Sequence, residues 1–191
     1  MDGVIGGVLG AFGLAASAGL NAYIPLLIVA LTAKFTNLIT LAQPYDALTS
    51  WWTIGVLALL SAIEFFADKV PAVDLVNDAI QTFVRPTAGA ILFAASAKAI
   101  TDVNPVLSLI MGLLVAGTVH GVKSVAVRPV VAASTAGAGT PVVSFVEDLV
   151  AATVSLLSVV LPILMLIVLV LIIWFFAWWV DRRKGSSPRT V

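Results

Sequence analysis

The chain has 191 residues, 61% of them hydrophobic and 10% charged, with a mean hydropathy of +1.13. A soluble domain averages about 45–50% apolar and about 25% charged residues, and one of this size has too small an interior for such an excess, so acyl chains are the expected solvent. Ten basic and ten acidic residues cancel, which removes the field that would draw nucleic acid, and a chain with no Cys and one His excludes disulfides, thiolate sites and a His-built metal centre.

Met1-Asp2-Gly3 carries no basic n-region, so the first apolar stretch reads as a retained helix and not as a cleaved signal. About 20 apolar residues cross a bilayer core of about 30 Å. Residues 4–33 are expected to form the first span, interrupted by Gly19, Asn21 and Pro25, and 34–50 a polar loop. Residues 51–67 form the second span, opened by Trp51 and Trp52 at a headgroup boundary. Residues 68–84 are mixed, 86–100 make a short third span unless the preceding helix runs into it, and 105–122 make the fourth.

The stretch 123–141, rich in Ala, Gly, Ser and Thr, reads as a cytoplasmic or re-entrant loop. Residues 142–180 would make one helix of roughly 58 Å, so two crossings with a turn near Pro162 are expected, with a single tilted, kinked helix as the alternative. Trp174, Phe175, Phe176, Trp178 and Trp179 form an aromatic belt before the anchor Asp181-Arg182-Arg183-Lys184, and 185–191 form a disordered tail. Six spans with both termini cytoplasmic put Lys69, Arg85, Lys123, Arg128 and Arg182 to Lys184 inside, and Lys34 and Lys98 outside, as the positive-inside rule asks.

Two pairs of segments look alike. Pro71 through Ile80 matches Pro141 through Val150, and Gly13 through Asn21 more weakly matches Gly112 through His120. Transporter folds are often built from such repeats, whereas a reduced alphabet also yields chance likeness. In the six-span topology the first pair runs in the same direction and the second in opposite directions, so the pairs imply conflicting symmetries.

The polar residues within these spans are the candidates for chemistry. Asp74, Asn77, Asp78, Gln81 and Arg85 form one stripe of a helix, either wetted at the interface or facing an enclosed polar path. Glu64 and Asp68 share a helix face near a span end, with Asp68, Lys69 and Arg85 as partners for Glu64. Ser144 and Glu147 suit a capping box, and Glu147 with Asp148 suits a cation path. Asn21 is polar glue between helices or part of a broken-helix site, and His120 with Lys123 marks an interfacial span end. No phosphate loop, zincin helix or nucleophile elbow is present, so an enzyme, a metal site and a cofactor are not expected.

Four blocks carry a resemblance: Ala18 through Leu27; Glu64 through Asp74 with its Asp68-Lys69-Val70-Pro71 core; Arg85 through Ala90; and Pro141 through Asp148. The chain resembles, over most of residues 10–165, a family of small bacterial membrane proteins catalogued as domain of unknown function four-one-two-six. That resemblance implies a multi-pass inner-membrane protein and brings no activity or site with it.

The expectation is therefore an all-α, polytopic transmembrane helical bundle of about six spans, with room for broken or re-entrant segments and internal repeats. Residues 1–184 form one domain. The expected role is a small transporter or channel-like protein for a small solute or ion, along a path drawn from Asn21, Glu64, Asp68, Lys69, Asp74, Asp78, Arg85, Arg128, Glu147 and Asp148. The alternative is a structural or assembly subunit of a larger membrane complex. Expected partners are the lipid bilayer and other membrane proteins or further copies of the chain.

Overall fold

The computed structural model describes residues 2–68, 70–100 and 103–162, with positions 167, 171 and 174 beyond them, and the side chains of 2–5, 71, 72, 74, 75 and 98–100 lie outside the description. Lys69, the side chains of Asp74 and Lys98, most of the stretch after Pro162, the Arg182–Lys184 anchor and the tail therefore fall outside the described residues.

Among the described residues the chain is all-helical. Its elements are α1 (Asp2–Leu20), α2 (Tyr23–Phe35), a 3-10 turn (Tyr45–Thr49), α3 (Trp51–Ala67), α4 (Pro71–Ile100), α5 (Pro105–Val122), a π-helical turn (Lys123–Val127), α6 (Arg128–Thr135) and α7 (Thr140–Val160). Two helical stretches, Pro105–Thr135 and Thr140–Val160, are long and apolar enough to cross a bilayer, while Gly6–Leu20, Tyr23–Phe35 and Trp51–Ala67 are shorter apolar helices.

Pairwise contacts fix the helix directions. Glu64 meets Arg85 and Asp68 meets Asn77, so α3 runs antiparallel to α4. Gly112 lies against Gly89, and His120 reaches Thr82 and Arg85, so α5 is also antiparallel to α4. Gly10 faces the Ser158 carbonyl, and Asn21 bonds Asp148, so α1 and α7 are antiparallel. At one end of α2 the Tyr23 hydroxyl bonds Gln81, and at the other Phe35 packs on Trp51, the start of α3.

α1 and α2 are thus the arms of a hairpin with its tip at Asn21 and Ala22. This corrects the single interrupted span over 4–33. No polar loop is needed, because the Asn21 Oδ1 accepts from the backbone N–H of Tyr23 and Ile24, 3.0 Å each, and so caps α2 itself. Pro25 falls in the first turn of α2, where its missing N–H costs no helical bond.

The helix from Pro71 runs through Pro86 to Ile100, which is the alternative in which the preceding helix continues into 86–100. One further boundary differs. The stretch 123–135 is helical and not a loop, and the turn is confined to 136–139, with Ala136 (φ 50°) and Gly137 (φ 85°) left-handed. By contrast 51–67 and 105–122 coincide with α3 and α5, and α7 ends at Val160, beside the expected break at Pro162.

With these directions Gly13 through Asn21 and Gly112 through His120 run the same way, as do Pro71 through Ile80 and Pro141 through Val150. The hairpin removes the conflict between the two pairs.

The packing is inverted relative to a soluble core. The buried apolar positions are mainly small, with Ala11, Ala15, Ala18, Ala88, Ala95 and Ala116 among them, whereas Trp52, Leu59, Phe66, Leu114, Phe145 and Leu156 are exposed. Small residues let backbones approach: a Cβ on Gly112 would collide with the Gly89 carbonyl and with Phe93.

Candidate functional site

The hairpin tip, the end of α3, the middle of α4, the π turn and the first turns of α6 and α7 meet at one end of the bundle. Glu64, Asp68, Gln81, Arg85, His120, Lys123, Arg128, Ser144, Glu147, Asp148 and Asn21 are all buried there, and Asp78 is partly buried.

Asp68, just beyond α3, joins four elements. Its Oδ1 accepts from Asn77 Nδ2 at 2.6 Å on α4, and its Oδ2 from Arg128 Nη2 at 3.2 Å on α6 and Ser144 Oγ at 3.1 Å on α7. Burial opposes its ionisation, but the charges of Arg128, Lys123 and Arg85 and the Asn77 bond outweigh that, and its carboxyl is held below the usual carboxylate value.

Arg85 divides its fork. Nη2 donates to Glu64 Oε1 at 3.0 Å and Nη1 to His120 Nδ1 at 3.1 Å, with Asp78 Oδ1 at 3.7 Å. A guanidinium can only donate, so His120 Nδ1 is the acceptor and its proton sits on Nε2, 3.2 Å from Thr82 Oγ1. Arg128 completes the ring through Asp78 Oδ2 at 3.0 Å.

The π turn sets the phase of the two remaining cations. Residues five apart on an ideal α-helix point about 140° away from each other. Here the Arg128 N–H bonds the Lys123 carbonyl, an i→i+5 closure that stacks the two residues on one side. Both then reach Glu147 Oε2, Lys123 at 2.9 Å and Arg128 at 3.5 Å. Lys123 also donates to the Leu20 carbonyl at 2.9 Å, one of the acceptors left open where α1 ends. Asn21 Nδ2 donates to Asp148 Oδ1 at 3.0 Å.

Of the expected path residues, Asn21, Glu64, Asp68, Asp78, Arg85, Arg128, Glu147 and Asp148 converge, and Lys69 and the Asp74 side chain fall outside the description. The lower part of the Asp74–Arg85 stripe is enclosed, since Gln81 and Arg85 are fully buried, while Asp78 keeps some exposure. His120 and Lys123 are central members of the cluster instead of an interfacial span end. His120 lies 35 positions from its partner Arg85, so no spacing marked it; its presence in an apolar helix was the available clue. Ser144 serves Asp68 and not a capping box.

Beside the cluster an apolar cleft of about 520 Å³ opens between α5 and α7, lined by Leu20, Val119, Val122, Val143 and Val146 and reaching Lys123 and Glu147. Among the described residues no group of His, Cys, Asp and Glu side chains suits a metal ion.

No curated protein and no solved structure matches the chain. A family model does, over residues 8–182, nearly the whole of the sequence and all of the residues that build the cluster. The chain belongs to the family described as Domain of unknown function (DUF4126).

Proposed function

We propose that this chain is a multi-pass protein of the bacterial inner membrane that binds and passes a small ion or polar solute through its charged cluster. The observation that carries this reading is the enclosed ring of Glu64, Arg85, Asp78, Arg128 and Asp68 inside a bundle whose outside is Leu, Val, Phe and Trp. Ionised groups in hydrocarbon are costly and characteristically line ion or solute paths. Irregular backbone gathers at the same level, in the hairpin tip and the π turn, as it does in transporters built from broken helices. The same-direction likeness of α1 with α5 and of α4 with α7 supports two parallel repeats, related by an axis along the membrane normal.

The hairpin also alters the orientation. It puts the start of α1, Lys34 and the end of α4 on the face opposite Arg85, Lys123 and Arg128. The positive-inside rule then turns the cluster toward the cytoplasm and the start of α1 outward. The proposed start is outward, where the six-span reading leads to a cytoplasmic one.

Reconstitution into proteoliposomes tests the proposal. Flux of at least one cation, anion or small metabolite is expected, and it should fall at least tenfold in Asp78→Asn. Silence across a broad panel, together with a stoichiometric membrane-protein partner recovered in mild detergent, would replace transport with an assembly role, which the exposed apolar faces of α3 and α7 also suit.

A further inference from the structure

Not every polar atom at the junction of α2, α3 and α4 is satisfied. Glu64 is 1% exposed and uses Oε1 on Arg85, yet its Oε2 has no hydrogen-bond partner. Gln81, also 1% exposed, bonds the Tyr23 hydroxyl, and its Oε1 has none. Ser61 Oγ, one turn before Glu64 on the same face of α3, is a third. A buried acceptor left without a donor costs about 1–3 kcal/mol, and more when charged. Two such acceptors, on neighbouring helices that both face Tyr23 and one of them a carboxylate, call for something positive.

We propose that this junction is a small-cation site, where Glu64 Oε2 and Gln81 Oε1, with Ser61 Oγ and the Tyr23 hydroxyl beside them, hold a proton or an alkali-metal ion. The groups that face Glu64 are Tyr23 from α2, Asp68 from its own helix end, Arg85 from α4 and Lys123 from the π turn. Arg85 fixes Oε1 and leaves Oε2 as the exchangeable position. A proton there makes Oε2 a donor toward an acceptor such as Gln81 Oε1; an alkali ion takes both oxygens as hard ligands.

This site rests on the transport reading of the same cluster, but its test requires no flux. The full chain in lipid nanodiscs is melted at fixed pH in choline, sodium and potassium chloride, because a ligand of the native state raises the melting temperature with its concentration. Infrared difference spectra across neutral pH, in choline chloride, report carboxyl protonation. A sodium- or potassium-dependent melting temperature that disappears in Gln81→Leu assigns an alkali ion. A protonated-carboxyl band that titrates in the wild type, moves in Gln81→Leu and is absent in Glu64→Gln assigns a proton. Gln81→Leu keeps every charge, so it decides the matter even where Glu64→Gln does not fold. If the melting temperature ignores the cation and no carboxyl titrates, the junction holds water only and the proposal is wrong, whatever the flux assay gives.

Discussion

Asn21 and Asp148 stand 127 positions apart and meet at 3.0 Å, amide nitrogen to carboxylate oxygen, where the tip of the α1–α2 hairpin enters the first turns of α7. Asn21 does two things there: its oxygen caps α2 and its nitrogen holds Asp148. Asn21→Ala is expected to cost about 1 kcal/mol for the cap and about 1–3 kcal/mol for the buried bond. Asp148→Ala should leave the cap intact. Unfolding of both single variants and the double variant in detergent will show a coupling of about 0.5–3 kcal/mol if the contact is direct; strict additivity would contradict it.

Arg85 is expected to be the least replaceable cation of the cluster. Arg85→Met strands Glu64 as a buried charge, for which about 3–5 kcal/mol is typical. The double variant Glu64→Gln with Arg85→Met should recover part of that loss. Arg85→Lys should not, because one ammonium cannot serve Glu64 and His120 with the geometry of a fork. Denaturation midpoints of the four proteins provide the check.

Glycine substitutions separate contact from propensity. Gly112→Ala drives a methyl into the Gly89 carbonyl and Phe93, and overpacking of that kind costs about 1–3 kcal/mol. Gly55→Ala meets nothing within 4 Å and lies inside α3, so a gain of up to about 1 kcal/mol in helix propensity is expected. Melting temperatures should move in opposite directions.

The chain has no cysteine, which makes the proposed orientation directly measurable. Asn37→Cys, in the loop between α2 and α3, should react with an impermeant maleimide added to intact cells. Ala138→Cys, in the turn between α6 and α7, should react only after lysis. The reverse pattern would place the charged cluster on the outer side.

Much of the fold was legible from hydropathy, and the failures share a cause. α3 and α5 are bounded by residues with strong signals, the Ser50 cap before Trp51-Trp52 and Asn104-Pro105. The hairpin at Asn21 was missed because a turn capped by a single side chain needs no polar loop, so the apolar run continues straight through it. Hydropathy leaves open whether a helix starts at Pro86 or runs through it, and in a packed apolar bundle neighbouring groups tolerate a proline inside a helix. The small residues of 128–135 looked like loop because propensity is weak beside tertiary contact, here Arg128 anchored to Asp68 and Asp78. The acidic and basic members of the site were visible as ions in greasy surroundings. Gln81 was visible in the Asp74–Arg85 stripe, whereas Tyr23 and Ser61 were harder to single out, since the junction depends on the hairpin folding back and no local spacing encodes that.

The π-helical turn holds one residue more between Lys123 and Arg128 than a regular helical turn would. Removing one residue from 124–126 would let α5 and α6 fuse into a regular helix with the two cations four apart and still on one side. Arg128 would then keep its approach to Asp68 and Asp78. The wider turn is an expansion joint: it takes up a surplus residue without disturbing what lies beyond, so a single-codon loss there should be far milder than losing the arginine.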